Sequence, residues 1–309
     1  MVLARPTGKM RMDDPGVESR AVDVFEMRLA DIDTVDVAQL LALSISVRWP
    51  HRAADWQFML DQGHGFVALD EIGRVCGSAM WFPYTEAFAA VGMVITSPRL
   101  QALGTGNWLM TRVIAACGER ALRLNATHAA DRLYRSLDFK PETTLYQCQG
   151  RANGAAAAAV ESDGVRPLSE IELSAVIAAD ARAYGAPRTK LITALFQQST
   201  GYGLLRSGRL AAFALCRRFG RGHVIGPVVA ASDRDAIAVV APHIAAHARQ
   251  FLRIDTHSEG NEFRAFIAAA GLALHDTVTT MSLRTDANDT GLRAAGAPSS
   301  YAVISQAFG

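Results

Sequence analysis

The chain has 309 residues, with 31 lysines and arginines against 30 aspartates and glutamates, and half of its residues are hydrophobic. This length favours two domains of about 100–200 residues, and the balanced charge gives no electrostatic basis for binding nucleic acid or an anionic membrane. The four cysteines stand singly, which argues against a zinc ribbon or a disulfide framework and indicates a reducing cytoplasm.

The N-terminal residues 1–22 lack the apolar centre of a signal peptide, and no apolar run in the chain approaches the roughly 18 residues of a membrane span. We therefore expect a flexible tail over residues 1–22 and a cytoplasmic protein without a membrane partner.

Strand and helix patterns then alternate through the first half. "VFEMRLA" predicts a strand, "DIDTVDVAQLLALSIS" a helix with Asp31 as its N-cap, and "ADWQFMLDQG" a short helix. Strands are predicted at "GFVALD" and "VCGSAMWF", joined by the turn "EIGR", and at "FAAVGMVIT". A helix from Asn107 to Cys117, the strand "ALRLNA", the helix "HAADRLYRSL" and the strand "TTLYQCQ" follow. The order predicts a mixed α/β fold in which helices cover a mixed sheet.

A candidate linker, "RANGAAAAAVESDG", occupies residues 151–164 and mixes small residues with turn formers. It predicts two domains, over residues 23–150 and 165–309.

An internal repeat is indicated by a gapless comparison of residues 94–125 with residues 224–255, which aligns strand, turn, helix and strand. Gly104 and Gly106 face Arg234 and Ala236 in this comparison. The second copy therefore lacks the glycines that let a backbone approach a phosphate closely.

The segment "RLQALGTGNWLM" places two glycines between a strand and a helix. A P-loop needs a lysine soon after the second glycine, and none follows. The dinucleotide fingerprint needs a third glycine where Leu109 stands and an acidic residue near the position of Asn125. The remaining pattern is Q/R-x-x-G-x-G/A, which Gln101, Gly104 and Gly106 satisfy.

This motif, with "MVITSP" before it and "NATHAADRLYRSLDFKP" after it, resembles the GNAT superfamily of acetyl-CoA-dependent N-acetyltransferases over residues 24–150. The second half, through "GPVVA" and "LRID", resembles the divergent GNAT-like domain attached to some bacterial GNAT proteins. The resemblance implies two tandem GNAT-like acyl-CoA acyltransferase domains, of which the second is degenerate and does not acetylate.

The resemblance implies that the glycine turn holds the pyrophosphate of coenzyme A, because the first turn of a helix offers about four unpaired N–H groups at a positive dipole end. The implied pyrophosphate contacts are Gln101, Ala102, Leu103, Gly104, Thr105, Gly106 and Asn107. Three strand residues, Val94, Ile95 and Thr96, would contact the pantetheine arm and the thioester carbonyl. Asn125 is a further cofactor-binding candidate, and no metal is expected.

Tyr134 matches the family tyrosine that can protonate the departing thiolate, although a tyrosine at this spacing often only packs against the sheet. Asp138 stands where the family has a glycine, at a helix end that favours a left-handed residue. The general base is not evident, and Glu86 and His51 are candidates with ordinary surface roles as the alternative. In the second half, Ile267 takes the place of Tyr134.

The expected function is transfer of the acetyl group of acetyl-CoA to an amine of a small molecule or peptide. The alternative is a non-catalytic protein that binds and senses acyl-CoA. The oligomeric state is open, with a homodimer as one option.

Other polar residues in the second half have weaker claims to a function. His243 and His247 have zinc-binding spacing, yet a solvated helix face is favoured. Ser258 is interpreted as a helix N-cap rather than as part of a hydrolase triad with Asp255 and His257. Two further polar residues, Asp180 and Arg188, are candidates with Asp255 for a second pocket.

Overall fold

A computed structural model of the protein describes residues 18–22, 25–161, 163–285 and 298–309. The chain forms two compact units, one from Met1–Phe82 with Val91–Gly118 and the other from Pro83–Ala90 with Glu119–Gly309. Residues 1–17 of the predicted tail lie outside the described residues. The tail prediction is wrong for Ser19–Val22, which forms a strand because its backbone pairs with the next segment of the chain.

The first unit contains a sheet that runs in chain order. Its strands are β1 (Ser19–Val22), β2 (Phe25–Asp31), β3 (His64–Leu69), β4 (Val75–Pro83) and β5 (Phe88–Thr96), of which Pro83 and Phe88 to Ala90 belong to the second unit. Its helices are α1 (Val37–Ser46), α2 (Ala53–Gln62) and α3 (Thr105–Ala116). The pairs from β1 to β4 are antiparallel. The strands and helices predicted here are confirmed within a few residues, except that α1 begins at Val37, six residues after its predicted start.

Asp31 is not the N-cap of α1 as predicted; it is the N-cap of a short 3-10 helix and makes no side-chain capping bond there. Asp31 ends β2, where it pairs with Phe66, and the 3-10 helix, Ile32–Thr34, separates it from α1. The N-cap of α1 is Asp36. Pairing in the sheet holds Asp31 in an extended conformation, so the helix begins only after the chain has turned.

The second unit holds the remaining elements. Its strands are β6 (Ala121–Ala126), β7 (Lys140–Arg151), β8 (Val165–Pro167), β9 (Thr200–Arg206), β10 (Arg209–Phe219), β11 (Gly222–Ala230), β12 (Phe251–Thr256), β13 (Ala273–Leu283) and β14 (Ser299–Ala302). Its helices are α4 (Asp131–Ser136), α5 (Gly154–Ala158), α6 (Leu173–Tyr184), α7 (Thr189–Gln197), α8 (Asp233–Ala246) and α9 (Glu262–Ala269). The mixed α/β class is confirmed.

Strand β7 of the first sequence half and strand β13 of the second exchange places in this unit. The order is β6-β13-β7-β12, so β13 from the second half lies between two strands of the first, and β7 lies between two strands of the second. Neither of these two strands therefore pairs with a strand of its own sequence half. The division into domains at residues 151–164 stays a prediction about sequence repeats, and it does not coincide with the compact units.

Part of the predicted linker is a short helix, α5. Asn153 caps it by accepting a hydrogen bond from the Ala155 amide, and Ala157 is buried. Gly154 approaches Ala248 so closely that a Cβ atom on Gly154 would lie 3.0 Å from that of Ala248. Small residues are what allow this close packing, although the alanine run shows no apolar periodicity.

Candidate cofactor site

Strand β5 changes its pairing and its backbone direction before the glycine turn. Its parallel ladder with β6 comprises Phe88 to Ala90, within the second unit. Met93 has φ +52, which is uncommon for a residue with a side chain, and its carbonyl accepts a 2.8 Å hydrogen bond from the Ser78 hydroxyl. Residues 94–96 follow in the first unit. Within the described residues, the ladder with β6 does not include residues 94–96.

The turn itself is fixed by short local hydrogen bonds. The Ser97 amide donates to the Cys76 carbonyl at 2.8 Å, and the Gln101 side-chain amide donates to the Thr96 carbonyl at 3.2 Å. Ala102 has φ +65 and Gly104 has φ +90. The left-handed conformation at the N-cap of α3 is the reason that position 104 favours glycine.

The first turn of α3 presents unpaired donors. Its first intrahelical bond runs from the Trp108 amide to the Gly104 carbonyl at 3.0 Å, so the amides of Thr105, Gly106 and Asn107 precede any helical acceptor. The Thr105 hydroxyl is buried and has no hydrogen-bond partner among the described residues. These donors, at the positive end of the helix dipole, suit a phosphate oxygen.

Arg20 is a residue of this site that sequence reasoning missed. A Cβ atom placed on Gly104 would lie 3.3 Å from the Nη2 atom of Arg20, so the guanidinium group packs against the turn. No motif surrounds Arg20, and residues 1–22 were predicted to be a tail. Its position depends on the pairing of β1 with β2.

The second unit carries Tyr134, which is buried in α4 against the edge of the Phe139 ring. Burial raises the pKa of Tyr134 above its ordinary value, so the phenol stays protonated at neutral pH. Asp138 has φ +66, and the Phe139 amide donates to the Tyr134 carbonyl at 3.1 Å. The expected left-handed turn at Asp138 is therefore confirmed.

The side chain of Asn125, also in the second unit, forms hydrogen bonds within the protein. Its amide donates to the Gln306 carbonyl at 2.9 Å, and its oxygen accepts from the Thr280 hydroxyl at 2.7 Å. A role of Asn125 toward the cofactor stays a prediction, and it would have to use the backbone.

The two candidates for the general base have different surroundings. The carboxylate of Glu86 is fully exposed and lies 3.1 Å from the Arg120 guanidinium. His51, between α1 and α2, has its Nδ1 atom 3.0 Å from the hydroxyl of buried Ser44 and an edge contact with Trp56. His51 is held by a part-buried hydrogen bond, whereas the ion pair of Glu86 is exposed to solvent.

At the N-terminus of α8, protein groups occupy the place that the open turn has in α3. The Ser232 hydroxyl accepts from the Asp235 amide at 3.3 Å. Asp233 accepts from the Phe263 amide and the Tyr301 hydroxyl, and Asp235 accepts two bonds from Arg206 at 2.6 and 2.7 Å. Carboxylates in this first turn would repel a phosphate.

Two expectations about other polar residues of the second half were wrong. His243 is buried rather than on a solvated face, and burial lowers the pKa of His243 to about 4. Asn261, not Ser258, caps α9, because its side chain accepts from the Arg264 amide three residues on. The described residues contain no cluster of three potential metal ligands.

The polar residues expected in a second pocket instead form internal ion pairs. Buried Asp180 accepts two hydrogen bonds from buried Arg188, at 2.7 and 3.0 Å. Buried Asp255 pairs with Arg253 at 2.7 Å. Neither carboxylate is available to a ligand without breaking these pairs.

Comparisons with known proteins identify the family of the chain. One family model, described as an acetyltransferase (GNAT) domain, matches residues 61–141, and another with the same description matches residues 176–291. A search of curated proteins finds no match. The chain belongs to the GNAT acetyltransferases and carries two such domains in tandem, whose known donor is an acyl-CoA.

Solved structures show the same fold at low sequence identity. A proposed acetyltransferase from Pyrococcus horikoshii is 18% identical with a TM-score of 0.76, covering 97% of this chain and 99% of that one. A tandem GNAT protein from the clavulanic acid biosynthesis pathway is 14% identical with a TM-score of 0.60, covering 83% and 98%. A GCN5-related N-acetyltransferase from Sphaerobacter thermophilus is 15% identical with a TM-score of 0.58, covering 82% and 95%.

These findings support an acyltransferase. In the part of the chain that the structure describes, no helix is long and apolar enough to cross a membrane.

Proposed function

We propose that the protein transfers the acetyl group of acetyl-CoA directly to an amine of a small molecule or peptide. The observation that carries the proposal is the N-terminus of α3, where the left-handed Gly104 is followed by three amides without helical acceptors. This arrangement supports binding of a diphosphate, and in a GNAT domain the diphosphate is that of coenzyme A.

In this proposal the amides of residues 103–107 hold the pyrophosphate, with Gln101 and Ala102 shaping the turn. The backbone of Val94, Ile95 and Thr96 binds the pantetheine arm and donates to the thioester carbonyl. Such donors stabilise negative charge as it develops on that oxygen, and fixed amides do so without reorganising. No covalent intermediate with the protein is required.

Tyr134 is proposed to donate a proton to the departing thiolate. Its raised pKa keeps the proton on the phenol at neutral pH, while a thiol of pKa about 8.5 competes for it only partly. Tyr134 therefore acts as a hydrogen-bond donor at least as much as a full acid.

The acceptor amine must lose a proton before it attacks, since an alkylamine of pKa near 10 is mostly protonated at pH 7. We favour His51 over Glu86 as the group that accepts it, because Ser44 holds the His51 ring in place. Glu86 is fully exposed, and water would compete with any substrate for its carboxylate.

The experiment combines a thermal shift with acetyl-CoA and a thiol-release assay over a panel of amines. Acetyl-CoA is expected to raise the apparent stability by about 2.7 kcal/mol at 100 times its Kd, and at least one amine is expected to release free thiol. Stabilisation without thiol release from any amine would contradict catalysis, and no stabilisation at all would contradict the cofactor assignment.

The Tyr134→Phe substitution tests the proposed proton donor. We expect kcat to fall about 100-fold, in the range of general acid catalysis, while the Kd for coenzyme A stays unchanged because the ring still fills its place. Tyr146→Phe, on β7, is the matched control. Equal kcat values for Tyr134→Phe and the wild type would remove Tyr134 from the mechanism.

A further inference from the structure

The N-terminal strand β1 lies along one face of α3. Glu18, immediately before β1, accepts a 2.8 Å hydrogen bond from the indole of Trp108 and forms a 3.1 Å ion pair with Arg112. Two residues further on, Arg20 lies against Gly104. Positions 104, 108 and 112 share a helix face at intervals of four residues, about 6 Å, and a two-residue step in a strand spans nearly the same distance.

The spacing means that β1 runs antiparallel to α3 and directs Glu18 and Arg20 to the same helix. Ser19 points elsewhere, since its hydroxyl donates to Glu26 on β2 at 3.2 Å. The backbone is fixed at the same point, because the Leu29 amide donates to the Glu18 carbonyl at 2.9 Å. Arg20 is therefore delivered to the glycine turn by a paired strand.

Arg20 brings a positive charge to the N-terminus of α3, where an anion would offset it. The N-terminus of a helix carries a partial positive charge, and a cation there costs free energy. Glu18 is already engaged by Trp108 and Arg112, and in the described part of the chain no carboxylate forms an ion pair with Arg20. An anion seated on the turn would interact favourably with both the guanidinium and the helix end.

We propose that Arg20 binds the pyrophosphate of coenzyme A from the side opposite the helix amides. The inference rests on the proposed function, because it assigns a further residue to the same cofactor site. A guanidinium group presents N–H donors in a planar fork that matches two phosphate oxygens, which adds direction as well as charge to the contact. The amides of α3 and the side chain of Arg20 together close around the diphosphate.

Glu18 is the positioning residue for this contact. It does not reach the turn, but its bonds to Trp108 and Arg112 set where β1 lies on the helix. Glu18→Gln keeps an oxygen for the Trp108 indole and loses the ion pair with Arg112. This variant is expected to weaken the binding of coenzyme A less than a change at Arg20 does.

The test measures the Kd of the full chain for coenzyme A, 3′-dephospho-coenzyme A and pantetheine by calorimetry. Arg20→Gln is expected to raise the Kd for coenzyme A about tenfold, as for loss of a charge-assisted hydrogen bond, and Arg20→Lys to raise it less. The same loss is expected for the 3′-dephospho compound, which keeps the pyrophosphate. Pantetheine, which has no phosphate, is expected to bind Arg20→Gln and the wild type alike.

Arg209→Gln, at an exposed position on β10, is the matched control for net charge. The difference between wild type and Arg20→Gln is also expected to shrink as salt rises from about 0.05 to 0.5 M, because screening weakens a partly exposed charge pair. Thermal melting of each variant without ligand verifies that it is folded, and Arg20→Lys supplies the comparison if Arg20→Gln is not.

Each result separates the inference from the proposed function. If the wild type binds coenzyme A and Arg20→Gln binds it with the same Kd, the role of Arg20 is overturned while the cofactor site stands. If the defect disappears with the 3′-dephospho compound, Arg20 contacts the 3′-phosphate and the pyrophosphate assignment is wrong. If the wild type binds no coenzyme A, the proposed function fails and the inference fails with it.

Discussion

Helices α3 and α8 occupy corresponding places in the two sequence halves, but the groups at their N-termini differ. The N-terminus of α3 is capped by Gly104 and leaves its first amides without helical acceptors. The N-terminus of α8 is capped by the Ser232 side chain and carries Asp233 and Asp235 in its first turn. The same fold element therefore presents backbone amides without helical acceptors in one copy and the protein's own carboxylates in the other.

The connection before each helix differs as well. Residues 97–104 join β5 to α3, whereas only residues 231–232 join β11 to α8. The gapless sequence comparison correctly aligns the C-terminal ends of α3 and α8 and the strands β6 and β12. It misaligns the first strand of each copy, β5 and β11. The second copy has lost the turn as a segment, and aligned by N-cap, Gly104 faces Ser232 rather than Arg234.

The helices that follow β6 and β12 confirm the other part of the repeat. The Phe139 amide bonds to the Tyr134 carbonyl at 3.1 Å, and the Leu272 amide bonds to the Ile267 carbonyl at 3.0 Å. Ile267 thus takes the place of Tyr134, as expected. In the described residues, the second copy has a two-residue connection in place of the glycine turn and Ile267 at the position of Tyr134.

The largest expected effect is a loss of folding stability at low pH, caused by the buried His243 of α8. His243 stands where α3 has Val113 when the helix ends are aligned, and burial lowers the pKa of His243 to about 4. The unfolded chain binds this proton near pH 6.5, so stability is complete above that pH and is lost as pH falls toward 4, by at most about 3 kcal/mol.

His243→Gln, which keeps a donor for the Ala214 carbonyl, is expected to remove this part of the pH dependence. Urea midpoints at pH 7 and pH 4.5 measure it, with the exposed His275→Gln as the control. Equal pH dependence in His243→Gln and the wild type would show that α8 is not stabilised by a buried neutral imidazole.

Asn107→Asp turns the open helix end into a closed one. Asn107 is the third residue of α3, as Asp235 is of α8. A carboxylate there is expected to raise the Kd for coenzyme A about 20-fold through repulsion of the phosphates, and to stabilise the free protein by about 0.3–1 kcal/mol. Asn107→Ser is the neutral control, and unchanged binding by Asn107→Asp would contradict a phosphate site at α3.

The reverse change, Asp235→Asn, tests whether the acidic end of α8 serves stability alone. It breaks the paired hydrogen bonds from Arg206, and we expect a loss of about 1–2 kcal/mol in the free energy of unfolding, because the carboxylate is nearly buried. Calorimetry is expected to find the affinity for coenzyme A unchanged. A gain or loss of coenzyme A binding would mean that α8 takes part in a cofactor site.

Asp138→Gly has the smallest expected effect. Asp138 has φ +66 at a helix end, where glycine is the favoured residue. The change is therefore expected to raise the free energy of unfolding by about 0.5–1 kcal/mol. Gly271 holds the matching turn with φ +88, and Gly271→Asp is expected to destabilise because a Cβ atom would lie 2.5 Å from the Arg151 carbonyl. Thermal melting is expected to show a higher Tm for Asp138→Gly and a lower Tm for Gly271→Asp. Shifts of the same sign and size in the two variants would contradict this prediction.

The sequence predicted the turn at Gly104 and the left-handed Asp138 because both depend on a few adjacent residues. It could not predict the exchange of β7 and β13, since either strand fits beside β6 by pattern and only the packed sheet decides. Arg20 was missed for a similar reason: its contact with Gly104 joins positions far apart in the chain. Burial of His243 depends on which face of an alanine-rich helix meets the sheet, and the pattern of α8 leaves that open.

The central claim is that the chain holds one acyl-CoA, at the open end of α3. Calorimetric titration of the full chain with acetyl-CoA tests it most directly. We expect a stoichiometry of one per chain, an affinity reduced by Asn107→Asp, and no effect of Asp235→Asn. Two sites per chain, or a single site insensitive to Asn107→Asp, would contradict the account.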